Sequence, residues 1–134
     1  MQLVDTNVLS ELMRSQPNPG VLRWLQTRQF ASPQLTISAV TVDEVMFGLS
    51  SRPTARLLAW FDGFLQTHRV LPVTSDIARC AGQLRGQLQL AGQIRSQADM
   101  LIAATAQMHA LTVVTRNVRD FEGCGIGLLN PFSQ

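Results

Sequence analysis

Leu111-Thr112-Val113-Val114-Thr115 is the clearest strand of the chain, four β-branched residues in a row behind a leucine. The segment in front of it, Met100 to Ala110, is apolar on nearly every side, as a helix packed deep against a sheet must be. Behind it stand Arg116-Asn117-Val118-Arg119-Asp120, a polar turn that places an acid just beyond the strand end.

The same alternation recurs outward from this unit. Gln2-Leu3-Val4 is a short apolar strand running into Asp5-Thr6-Asn7, and Val8, Leu9, Leu12 and Met13 then repeat at helical spacing. Pro17-Asn18-Pro19-Gly20 breaks the chain before a second short helix with Val21, Leu22, Trp24 and Leu25. Leu35-Thr36-Ile37-Ser38 is a strand, and Thr41-Val42-Asp43-Glu44 has the form of a capping box opening a helix through about Leu49. Pro53 suits the first turn of the next helix, whose apolar face carries Leu57, Leu58, Trp60, Phe61, Phe64 and Leu65. Arg69 to Val73 is a strand, Ser75 to Leu90 a helix stopped by Gly92, and Ser96-Gln97-Ala98-Asp99 a second capping box. Gly123, Gly125 and Gly127 surround a last strand near Ile126 to Leu129; no helix follows them, so they are a turn and not a phosphate-cradling loop. Strands alternating with helices predict an α/β chain, residues 1–134 as a single domain, with a mostly parallel sheet covered on both faces.

The bulk numbers narrow the function. Hydrophobic residues are 46% and charged residues 15% of 134, which excludes charge-driven disorder and leaves apolar surface for an oligomer or partner. No apolar stretch approaches the roughly 20 residues of a membrane span, and the chain enters a strand at once without a charged leader, so a cytoplasmic location is expected. Cys80 and Cys124 form no C-x-x-C pair and read as buried free thiols. All 11 basic residues are arginine, at a net charge of +2. Guanidinium groups suit phosphate, while the absence of lysine excludes a P-loop lysine, a Schiff-base enzyme and the lysine that receiver domains pair with their acids.

Asp5, Glu44, Asp99 and Asp120 each sit where a strand ends or a helix begins. Taken singly, Asp5 is explained as a helix N-cap, and Glu44 and Asp99 as the third residues of capping boxes. Taken together they stand at the junctions that an open α/β sheet gathers at one edge, where ligands bind. Two carboxylates about 4 Å apart repel by roughly 1 kcal/mol in water and about 4 kcal/mol at a partly buried site, so four in one pocket call for a cation. Mg²⁺ takes such hard oxygen ligands and keeps waters for a phosphate substrate. Arg116 and Arg119 flank Asp120 as candidate phosphate contacts; Asp43 points away from Glu44 and is expected either in solvent or behind the quartet as a supporting acid.

Leu3-Val4-Asp5-Thr6-Asn7, Glu44-Val45-Met46-Phe47-Gly48, Asp99-Met100-Leu101-Ile102-Ala103-Ala104 and Thr115-Arg116-Asn117-Val118-Arg119-Asp120-Phe121 follow in an order that resembles PIN-domain proteins. The chain is similar to the VapC-type toxins of bacterial toxin-antitoxin modules, in the branch that includes FitB, down to the ending Leu129-Asn130-Pro131-Phe132, with Phe132 where tryptophan is more usual. The resemblance implies a PIN-like three-layer α/β/α fold with a five-stranded mostly parallel sheet. It implies a Mg²⁺- or Mn²⁺-dependent endoribonuclease that hydrolyses RNA phosphodiesters with metal-activated water. Asp5, Glu44, Asp99 and Asp120 match the family's acidic quartet, and Thr6, Asn7, Thr115 and Asn117 match positions that support it by hydrogen bonding. The implied partner is a VapB-like antitoxin, with a toxin homodimer inside a larger complex and promoter DNA bound only through the antitoxin. Two rival readings are a non-catalytic PIN-fold protein-binding module and a receiver-type signalling domain; the missing lysine and the single acid after the first strand disfavour the second.

Overall fold

The computed structural model describes residues 1–31 and 33–133. In chain order these form β1 (Gln2–Val4), α1 (Thr6–Leu12), α2 (Pro19–Ala31), β2 (Thr36–Ser38), α3 (Ala39–Ser51), α4 (Ala55–Thr67), β3 (Arg69–Leu71), α5 (Ser75–Leu90), α6 (Gln97–Met108), β4 (Thr112–Val114) and β5 (Leu128–Leu129). Short 3-10 turns cover Val118–Phe121 and Pro131–Ser133.

Every strand pair is parallel: β1 with β4, β4 with β5, and β2 with β3. The expected single five-stranded sheet is instead two ladders, β1-β4-β5 and β2-β3. The reason lies in strand length. β1 and β2 run three residues each before Asp5 and Ser38 turn the chain into helices, and they lie side by side through packing, with Val4 and Ile37 in one core.

Side chains alternate across a strand, and the alternation here separates two cores. Leu3 and Val113 face a core built with α5 and α6, including Ile77, Met100, Ala103, Leu111 and Phe121. Their chain neighbours Val4 and Val114 face the opposite core, with Val8, Leu9, Trp24, Ile37, Phe61 and Phe64 of α1, α2, β2 and α4. Helices therefore cover both faces. Helix α6 is as buried as its composition predicts; Ala103, Ala104 and Ala106 are fully enclosed. It ends on Ala110, at φ +53°, with the Leu111 amide donating back to Ala106 O, and this left-handed turn delivers the chain into β4.

Several local expectations move. The second helix is longer than its apolar spacing suggests, Pro19–Ala31, with Asn18 Oδ1 accepting from the Gly20 and Val21 amides. Helix α3 starts at Ala39 with Ser38 as its cap, so Thr41 and Glu44 do not form a capping box. Pro53 precedes the Thr54 cap of α4. Gly92, at φ +83°, follows the α5 terminus as read from sequence. Cys124 is buried, Cys80 half-buried, and both are free thiols. Among the described residues no helix is long and apolar enough to cross a membrane.

Candidate active site

The C-terminal ends of β1, β2 and β4 open toward one edge, and three of the four acids come there on the helix starts that follow, or near them. Asp5 caps α1, 5% exposed, its Oδ1 accepting from the Thr6 amide at 2.8 Å. Its Oδ2 accepts from Thr115 Oγ1 at 2.8 Å and from Asn7 Nδ2 at 3.1 Å. Thr115, fully buried one residue beyond β4, spends its only proton on Asp5 and accepts from Asn7 Nδ2 and the Asn117 amide. Asn7 Oδ1 in turn accepts from the Arg116 amide at 3.0 Å. Each member of this network has one workable orientation, so Asp5 and the loop after β4 are held as one piece.

Glu44 is exposed on α3 and reaches the same network through Thr6, whose hydroxyl donates to Oε1 at 2.6 Å. That proton being spent, the buried Thr41 hydroxyl 3.1 Å from Thr6 Oγ1 is the donor in their contact. Freed from the capping box, Glu44 is tied to the first helix and not to its own. Ser38, read from sequence only as the end of a strand, is the cap, and Thr41, read as the cap, is fully buried and meets Thr6 instead.

Asp99 sits in the first turn of α6, half-buried, its amide donating to the Ser96 hydroxyl as the second capping box predicts. Burial first, and then the negative charges of Asp5, Asp120 and Glu44, push its carboxyl up to about 6 from 3.8, against the opposing Ser96 hydroxyl. Asp99 therefore lies within electrostatic reach of all three other acids. Burial also raises Asp5, with Glu44 adding to it, although the hydrogen bonds from Thr115, the Thr6 amide and Asn7 oppose the shift.

Asp120 is exposed in the 3-10 turn Val118–Phe121, not in the open turn expected of it. Sequence reasoning missed what holds that turn: Arg95, before the α6 cap, donates through Nη1 to Asp120 O at 2.7 Å and through Nη2 to Glu122 O at 2.8 Å. Phe121 behind it is in the core. The backbone is fixed while the Asp120 side chain faces a recess of about 370 Å³ with Arg116, Asn117 and Arg119. Asn117 takes part through its amide. Asp43 is exposed, the first of the two placements expected.

Among the described residues the one salt bridge is Arg14–Glu11, so no arginine neutralises any of the four acids. Nor do three His, Cys, Asp or Glu side chains, among the described residues, stand close enough to grip a metal as they are arranged. The four share a field more than they share a point. A separate cavity of about 410 Å³, lined by Gln2, Arg28, Thr36 and Arg69, opens at the other ends of the strands and holds no acid.

The profile of the PIN domain matches residues 3–123. The chain belongs to the PIN-domain family. It is 35% identical over 139 residues to VapC ribonuclease Y4jK of Sinorhizobium fredii, covering 98% of both proteins. The crystal structure of FitAcB from Neisseria gonorrhoeae matches with a TM-score of 0.87 at 32% identity, with 100% of each chain covered. A toxin-antitoxin complex from Klebsiella pneumoniae matches with a TM-score of 0.76 at 30% identity over 98% of each chain. This PIN-domain chain thus resembles VapC- and FitB-type proteins along nearly its whole length, and the motifs quoted from sequence lie in register with its folded acid edge.

Proposed function

We propose that this chain is the endoribonuclease toxin of a VapBC-like toxin-antitoxin module, with Asp5, Glu44, Asp99 and Asp120 holding Mg²⁺ or Mn²⁺. The observation that carries the reading is Asp99 in the field of the other three acids with, among the described residues, no cationic side chain paired to any of them. The donor set fits a divalent cation: all are hard carboxylate oxygens, and their repulsion is relieved by positive charge. The ion supplies charge neutralisation and a lowered water pKa when bound.

The chain's own residues do the positioning. Thr115, Asn7 and the Thr6 amide keep Asp5 aimed out of the core, and Thr6 keeps Glu44 beside it. Arg95 fixes the height of Asp120 through the backbone. Arg116 and Arg119, exposed around Asp120, offset the repulsion between an anionic phosphodiester and the acids. The similarity to a VapC ribonuclease and to a toxin-antitoxin complex supports RNA as substrate and a VapB-like antitoxin as partner. Exposed apolar residues such as Phe47, 74% exposed, suit that partner and a homodimer inside the larger complex. Promoter DNA is reached only through the antitoxin, and the site of action is the cytoplasm.

The lack of three acids in mutual ligand contact, among the described residues, is also what a non-catalytic PIN-fold binding module has. One experiment separates the two: purified, partner-free protein incubated with total RNA in Mg²⁺ or Mn²⁺, with and without EDTA. Cleavage that EDTA abolishes is expected. RNA left intact under both metals refutes the enzyme. Saturating Mg²⁺ also raises the melting temperature, because the ion binds the folded cluster and not the unfolded chain.

A further inference from the structure

We propose that the recess between the α1–α2 turn and the C-terminal tail holds single-stranded RNA beside the cleaved bond. Arg14 and Arg116 grip its phosphates, and Phe132 sets the Arg116 guanidinium. This rests on the endoribonuclease reading, which already uses Arg116, and adds Arg14 and Phe132 to it.

The recess measures about 480 Å³ and is walled by Glu11, Arg14, Asn18, Arg116 and Phe132. Arg116 also lines the recess that contains Asp120, so one side chain is the wall between the two. Its backbone is fixed from both sides: the amide donates to Asn7 Oδ1 at 3.0 Å, and the carbonyl accepts from Asn130 Nδ2 at 3.4 Å. Asn7 is the residue that donates to Asp5, which couples this arginine to the acid edge. The guanidinium lies over the Phe132 ring, 5.0 Å from its centroid, and Asn130 Oδ1 accepts from the Phe132 amide at 2.9 Å. The Asn-Pro-Phe tail thereby acquires a role as an arginine support.

Arg14 faces the same recess with its side chain 68% exposed. Its Nη1 lies 3.3 and 3.4 Å from the two oxygens of Glu11, which uses up few of the five guanidinium donors. Glu11 is itself buried and accepts from the Asn18 amide at 2.8 Å, and Pro17 and Pro19 stiffen the turn. Two guanidinium groups are thus preorganised beside four acids that repel a phosphodiester. A strand crossing those acids is retained only if cations hold it on both flanks. Arg119 serves the Asp120 side; the Arg14–Arg116 recess serves the other.

The test uses the full chain, a single-stranded RNA oligonucleotide and Mg²⁺ or Mn²⁺, with kcat, KM and the salt dependence of binding read separately. Arg14→Ala is expected to raise KM with the smaller change in kcat, and to lower the slope of log affinity against log salt by about 0.7, one single-strand phosphate contact. Phe132→Leu raises KM severalfold, and Phe132→Trp restores it. Arg79→Ala, the same loss of charge on exposed α5, leaves KM and slope as they are. Unchanged KM and slope in Arg14→Ala, an equal effect from Arg79→Ala, or no rescue by Phe132→Trp each overturns the recess. So does an Arg14→Ala protein that handles RNA normally but escapes its antitoxin, which makes the recess a protein site. If the wild-type chain cleaves no RNA, the enzyme reading is what fails, and RNA titration of the same variants still decides the recess.

Discussion

Asp5 and Asp99 are the same side chain at two helix starts, and the protein treats them differently. Asp5 is nearly enclosed and receives three donors, from the Thr6 amide, Asn7 and Thr115, which hold back the upward push of burial. Asp99 is half-exposed, yet burial and three negative neighbours carry it to about 6, with the Ser96 hydroxyl opposing. One acid is locked by hydrogen bonds that oppose, without cancelling, the upward push of burial. The other is left under electrostatic stress that a cation relieves. Rigidity on one side and unmet charge on the other are what an ion site needs before the ion arrives.

Replacing the locked acid has the largest expected effect. Asp5→Asn retains a competent N-cap, so the helix and the fold survive, while RNA cleavage falls by at least about 100-fold. Cleavage at the wild-type rate by the folded variant would falsify its place in the site. Thr115→Val comes next, because it strips a donor from a buried carboxylate and leaves the Asn117 amide without its acceptor, while Asn7 Nδ2 keeps only its bond to Asp5. A loss of about 1–3 kcal/mol in denaturant unfolding and about a 10- to 100-fold loss of cleavage are expected. A neutral result would mean that the lock is idle.

Asp99→Asn changes stability in the opposite direction. A folded pKa near 6, above the unfolded 3.8, means that the native state binds the proton more tightly. Stability is then highest below about pH 4 and falls as pH rises through about 6, the reverse of an acid paired with arginine. Without divalent ions at pH 7.5, Asp99→Asn should gain about 1 kcal/mol, solvent screening at this half-exposed group included, or a few degrees in Tm. The gain should vanish below pH 4 and in saturating Mg²⁺. Melting curves of wild type and variant that run parallel across that range would show Asp99 to be free of stress.

The smallest effect belongs to Arg95→Ala. It removes two bonds to the backbone around Asp120 from a partly exposed side chain, costing about 1 kcal/mol or less, and lowers cleavage severalfold by letting the 3-10 turn drift. If cleavage is unchanged while Asp120→Asn abolishes it, the turn holds its own shape.

Asp5, Asp99 and Asp120 were legible as junction residues, because each closes a strand, opens a helix or lies in the turn beyond a strand, whereas Glu44 lies inside α3 and reaches Asp5 only through Thr6. Asp99 could be placed almost to the atom, since Ser96-x-x-Asp99 is a local pattern and local hydrogen bonds form wherever the helix does. Thr41-x-x-Glu44 has the same local form and misleads: Ser38, three residues earlier, takes the cap because β2 ends there. Arg95 was illegible for a related reason. Its partners are 25 and 27 residues away, and an arginine in a polar loop carries no sign of which carbonyls it will meet.

Alternating apolar strands and apolar-faced helices determined by themselves that this chain is α/β and that it has two covered faces. Periodicity and capping are short-range, so they survive without knowledge of the fold. Whether the strands share one ladder, which threonine supports which acid and which arginine grips the Asp120 turn were decided only in three dimensions. Those choices depend on contacts across 25 to 110 residues of chain, and only the packed cores bring such residues within reach of one another.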